Sequence, residues 1–128
     1  MIPRSKTMDL IFETRDEVLL ATASGKVNFH KAVESCLNTC DLAAGLGVRK
    51  ILFDCLALVG DLSAQERFEL GKTVAEYCQL RMKIPAVALI GKPPSVTGYG
   101  ARVASNRGMP VEIFSDRERG LDWLKSRP

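Results

Sequence analysis

Two short, continuously apolar runs, Lys50-Ile51-Leu52-Phe53-Asp54 and Ala86-Val87-Ala88-Leu89-Ile90, are separated by a stretch of helical length. No other feature constrains the fold as much. A strand that is apolar along its whole length is covered on both faces, as inside a parallel sheet. Parallel neighbours need a crossover of a dozen or more residues, and the stretch between the runs supplies one. The chain therefore reads as alternating strands and helices around one sheet.

The remaining elements fall into place around these two strands. Leu10-Ile11-Phe12-Glu13-Thr14 reads as a strand, Arg15-Asp16-Glu17 as a tight polar turn, and Val18 to Ser24 as a second strand, so the pair forms a hairpin. Asn28 is a good N-cap. After it Phe29, Val33, Cys36, Leu37, Cys40, Ala43 and Ala44 recur at helical spacing, and Gly45 and Gly47 supply the stop. Cys55 to Leu62 reads as a loop containing Gly60-Asp61. Ser63-Ala64-Gln65-Glu66 is a capping box opening a helix whose inner face carries Phe68, Gly71, Val74, Ala75 and Cys78. Gly71 in mid-helix costs about 1 kcal/mol against alanine, so it implies a close approach, expected against the sheet.

Beyond Ile90, Gly91-Lys92-Pro93-Pro94 is a loop, and a helix is expected from about Thr97 to Arg107 with Gly108 in the left-handed position. Val111 to Phe114 is a last strand, and Glu112 gives it a more exposed place. Ser115-Asp116-Arg117-Glu118 reads as a second capping box, opening a helix that buries Leu121 and Leu124. The order is β-β-α-β-α-β-α-β-α. It predicts a mainly parallel five-stranded sheet with one antiparallel strand. Residues 1–8 read as a flexible arm and residues 9–128 as one domain.

Size and charge narrow the function. A chain of 128 residues can bury a real core. The formal charge of +3 is modest and its basic residues are mixed with acidic ones, which argues against nucleic acid. The longest apolar run near the start, Val18 to Ala23, is far short of the roughly 18 residues of a membrane span, and no signal-peptide pattern is present. A cytoplasmic location follows. Cys36, Cys40, Cys55 and Cys78 show no CxxC spacing, and His30 is the single histidine. The cysteines read as small buried hydrophobes, with no metal site.

Three stretches resemble small bacterial SpoIIAA-like proteins of the STAS type, also described as STAS/SEC14-like. They are Ile51-Leu52-Phe53-Asp54; Gly60-Asp61-Leu62-Ser63 running into Glu66-Arg67-Phe68-Glu69-Leu70-Gly71; and Ala88-Leu89-Ile90-Gly91, with Ala104-Ser105-Asn106-Arg107-Gly108 and Val111-Glu112-Ile113-Phe114-Ser115-Asp116. The resemblance implies a non-enzymatic regulatory module that meets another protein, a kinase or anti-sigma-type regulator; a homodimer is also expected, with no dimer surface identified by the sequence. In regulatory STAS domains a serine at the start of the second helix accepts phosphate. Ser63 holds the similar position, although the family's Asp-Ser-Ser-Gly type run is here Gly60-Asp61-Leu62-Ser63. The SEC14-like comparison implies the alternative, a carrier of a small apolar or anionic ligand with Met8, Met82 and Met109 as adaptable lining.

Ser63 therefore has two readings, a simple helix cap or a phospho-acceptor and anion site at the positive end of a helix. Asp54, Asp61 and Lys92 are expected to flank it as a binding surface, together with the loops 55–62 and 92–98. Gly91 to Gly100 looks like a phosphate loop but lacks the GxxxxGK[ST] order, and its prolines remove amides. Arg102, Arg107 and Lys92 are either a small basic patch or ordinary solvated surface. Cys55 lacks a base that would make it a nucleophile. No catalytic residue and no cofactor is implied.

Overall fold

The computed structural model describes residues 8–81 and 84–128. Its elements follow the expected order: β1 (Asp9–Arg15), β2 (Val18–Lys26), α1 (Phe29–Leu46), β3 (Lys50–Val59), α2 (Ala64–Leu80), β4 (Ala86–Ile90), α3 (Tyr99–Asn106), β5 (Val111–Phe114) and α4 (Arg117–Lys125). The strands form one sheet in the order β1-β2-β3-β4-β5. Among the described residues only the β1–β2 hairpin is antiparallel. Its turn is the two residues Asp16 and Glu17, both at positive φ, the geometry that matches the twist of a two-residue hairpin.

The two faces of the sheet are covered unequally. Leu19, Ala21, Ile51, Phe53, Cys55 and Val87 point to one side and pack against Ala32 and Ala43 of α1, Val74, Ala75 and Cys78 of α2, and Ala104 of α3. Val18, Leu20, Leu52, Ala88 and Ile90 point the other way and meet Leu124 of α4. Handedness explains this. Each of the three crossovers advances one strand in the same direction, and right-handed connections of that kind all land on one face. Among the described residues only α4, after the last strand, covers the other.

Several expectations need correction. β3 does not stop at Asp54. After a register shift between Thr22 and Ser24 it continues beside β2 alone, pairing Ala57, Leu58 and Val59 with Ser24, Gly25 and Lys26. The loop expected over 55–62 is therefore mostly strand. In α1 the fully buried face is Ala32, Ser35, Thr39 and Ala43, one position off the predicted stripe, so Phe29, Cys36 and Cys40 stand at its edge. Thr39 satisfies its hydroxyl on Ser35 O at 2.6 Å. α4 is capped by Asp116, whose carboxylate accepts from Arg119 N at 2.9 Å. The helix starts one residue later than predicted, so Ser115 makes no capping box. Residues 1–7 of the expected arm lie outside the described residues, as does Met82. Met8, placed in that arm, is a core residue with 5% of its surface exposed.

Gly71 marks a close approach of a different kind from the one expected. A β-carbon there would collide with Gly100 O and press on Val103 of α3. Glycine lets two helices touch, and the sheet is not involved.

Candidate functional site

The local sequence at Ser63 folds as its residue types dictate. Ser63 Oγ accepts from Glu66 N at 3.1 Å, and Glu66 Oε1 accepts from Ser63 N at 2.9 Å. Both halves of the capping box are made, and Ser63 stays exposed at the start of α2. Because β3 and β4 are parallel, the segment before α2 and the loop after β4 leave the same edge of the sheet. Asp61, Ser63 and Lys92 are all exposed on that edge.

Arg67 ties this edge together. From the first turns of α2 its guanidinium donates to Leu62 O at 3.0 Å, Ser95 O at 3.3 Å and Pro94 O at 2.8 Å. Ser95 Oγ adds a bond to Leu58 O at 3.3 Å, so the β4–α3 loop is pinned to both β3 and α2. The loop also closes on itself, since Lys92 O accepts from Val96 N at 3.0 Å and Val96 is buried against Gly91. It is a folded shelf and not a phosphate cradle. The Arg67 clamp escapes the sequence because its partners are backbone carbonyls, two of them 27 and 28 residues away, and no side-chain pattern announces them.

Asp54 does not join Ser63. It shares strand parity with Leu52, so it points to the α4 face, with α2 on the other side of the sheet. There it is 7% exposed and bonded to Arg117 of α4. Arg107 is separated from Lys92 in a similar way. α3 runs from the shelf back along the sheet, about 12 Å for eight residues, and Arg107 at its end lies over the Phe68 ring at 5.3 Å. Lys92 and Arg107 therefore do not meet in one basic patch.

Behind the shelf, between the sheet and α1, α2 and α3, lies a cavity of about 150 Å³. Its lining is mostly apolar, with Ile51, Phe53, Leu70, Val74, Val87 and Leu89 among its walls and Thr39, Arg67, Ser95 and Thr97 as its polar members. Met8 and Met109 line it as the carrier reading expects. Among the described residues Arg67 is the one charged side chain of the lining, and its guanidinium donates to three carbonyls.

The cysteines belong to this interior. Cys36, Cys40 and Cys55 line the cavity, and the Cys40 and Cys78 sulfurs lie 3.3 Å apart across the α1–α2 contact. The two thiols share this hydrogen bond, which holds the Cys78 thiol below its usual value and Cys40 above it. Burial pushes the Cys36 thiol up to about 12 and also raises that of Cys55. A buried, raised thiol without a neighbouring base is no nucleophile at neutral pH. Among the described residues no group of three His, Cys, Asp or Glu side chains is arranged to hold a metal ion, and no helix is long and apolar enough to cross a membrane.

No family model and no curated protein matches the chain. Solved structures do. An anti-sigma factor antagonist from Mycobacterium paratuberculosis superposes with a TM-score of 0.66 at 12% identity, over 98% of this chain and 100% of that one. An uncharacterized protein of the DUF3478 family from Shewanella loihica PV-4, with a SpoIIAA-like fold, superposes with a TM-score of 0.54 at 26% identity, over 97% of this chain and 98% of that one. The α/β architecture of this chain is thus the SpoIIAA-like fold.

Proposed function

We propose that this chain is a non-enzymatic, STAS-like regulatory module that meets a protein partner through the edge formed by Asp61, Ser63 and the 92–98 shelf. The observation that carries this reading is the Arg67 clamp. It holds two separate loops in one fixed surface beside an exposed serine at a helix N-terminus. A preformed surface loses less entropy on binding than two free loops would. The likeness to an anti-sigma factor antagonist makes an anti-sigma-type regulator or its kinase the natural class of partner.

Phosphorylation at Ser63 would then act as follows. The phosphate keeps the acceptor role toward Glu66 N, because any anion at that position favours the helix N-terminus. It also brings two negative charges beside the Glu66 carboxylate, which must leave Ser63 N. The edge changes in charge and in shape while the helix stays capped. Ser63→Asp should therefore keep stability and alter partner binding, whereas Ser63→Ala costs about 1 kcal/mol of stability by loss of the cap. The test is affinity purification from the source cell with cross-linking and mass spectrometry of wild type, Ser63→Asp and Lys92→Glu. A partner cross-linked to residues 60–63 or 92–98 and weakened by Lys92→Glu supports the reading. Binding indifferent to both substitutions, or cross-links confined to another surface, refutes it.

The cavity favours a second reading, a binding site for a small apolar molecule. A dry apolar cavity of about 150 Å³ takes a ligand the size of benzene. With Arg67 engaged on three carbonyls, the mostly apolar lining favours an apolar molecule over an anion. Benzene or xenon should raise the Tm of wild type, and Val74→Phe, which fills the space, should abolish the effect. No shift with either probe would leave the cavity as a packing defect.

A further inference from the structure

The two edges of the sheet are not alike. Edge strands expose a row of unpaired amides and carbonyls, and natural proteins protect them by shortness, charged side chains, Pro or a bulge. β5 is protected by being only four residues long. β1 is neither short nor bulged, and its only such guards are the charges Asp9, Glu13 and Arg15. Its sequence, Asp9-Leu10-Ile11-Phe12-Glu13-Thr14-Arg15, contains neither Lys nor Pro, and all seven residues pair with β2 in unbroken register. Ile11 is 68% exposed and Phe12 is 37% exposed on this strand.

The charges along β1 are self-complementary in one antiparallel register. With Phe12 facing the Phe12 of a second copy, Asp9 stands opposite Arg15, Leu10 opposite Thr14 and Ile11 opposite Glu13. Opposed residues then lie on the same face, as antiparallel pairing requires. Two Asp–Arg pairs close the ends of the ribbon and an aromatic pair sits on the axis. Centring the ribbon on Ile11 instead sets Asp9 against Glu13, and centring it on Glu13 sets that carboxylate against itself, so like charges oppose both alternatives. Glu13 also bonds Arg15 along the strand at 2.8 Å, which holds the guanidinium at the end of the pairing edge.

We infer that β1 is the contact of a two-fold dimer, in which a second copy of this chain adds its β1 antiparallel, centred on Phe12, and joins the two sheets into one. This surface is separate from the Ser63 edge, so either proposal can fail alone. Sedimentation of the full chain over a range of concentrations, with circular dichroism as the control for folding, tests it. Wild type should self-associate reversibly, and less so at high salt. Asp9→Arg and Arg15→Asp each place like charges opposite one another twice in the dimer, and each should weaken association about 10-fold. The double variant restores the opposite charges and should regain it. A wild-type chain that stays monomeric, leaving the edge to some other occupant, overturns the inference. Association indifferent to the single changes, or not regained in the double variant, overturns it equally.

Discussion

Arg117 Nε on α4 donates to Asp54 Oδ2 on β3 across 2.6 Å, and Arg117 Nη2 reaches Thr22 Oγ1 on β2 at 2.8 Å. Asp54 Oδ1 accepts in addition from Leu56 N at 2.9 Å, where β3 begins its second half. One buried carboxylate thus anchors the sheet's separate helix and steadies the strand at its register shift.

Removing either partner should be costly. Arg117→Ala leaves the Asp54 carboxylate buried beside Thr22 with no counter-ion, and Asp54→Ala strips the Leu56 amide of its acceptor. Each is expected to lower stability by about 2 kcal/mol, less than a fully buried pair because Arg117 is partly exposed. The double variant should cost less than the sum of the two. Urea denaturation of the four proteins measures the coupling, and strict additivity would show that the pair does not act as a unit.

The hairpin turn carries a removable strain. Asp16 and Glu17 have φ of 51° and 65°, a region where glycine is at ease and a side chain is not. Glu17→Gly creates the Asp-Gly dipeptide that this turn type prefers. It should raise stability by about 1 kcal/mol, read as a higher urea midpoint at unchanged slope. An unchanged or lower midpoint would mean that the strain is absent.

Alkaline pH should loosen the core. Below about pH 9 the native and unfolded chains both hold the Cys36 and Cys55 protons, and the thiols' contribution is fully present. Above it the unfolded chain releases them while burial keeps the native thiols protonated, toward about 12 for Cys36. The unfolded state then binds fewer protons, so stability falls as pH rises. Tm measured from pH 8 upward should drop, and Cys55→Ala should drop with a shallower slope. Equal slopes would remove Cys55 from the explanation.

The order of elements was legible because each strand and helix announces its own period. The Ser63 cap was legible because a capping box is complete within four residues. What escaped the reading depends on distant partners. Asp54 ends an apolar run, and a strand buried on both faces does not declare which parity meets which layer. The second half of β3, Cys55 to Val59, looked like a loop because only β2 pairs with it, beyond an irregularity set by tertiary packing. Gly71 advertised a close approach without naming Gly100 as its counterpart. The Arg67 clamp left no trace at all, since carbonyls look alike in any sequence.

The unequal covering of the sheet also has a consequence for synthesis. Domains assemble as the chain leaves the ribosome, N-terminal parts first. The three crossovers can roof their face as soon as their strands pair, while Leu52, Ala88 and Ile90 stay bare until Arg117–Lys125 docks. For that interval the nascent chain is a half-clad sheet with an apolar side open to chaperones and to its neighbours on the same message. The helix that Asp54 anchors is therefore also the element that ends the chain's period of greatest exposure to aggregation.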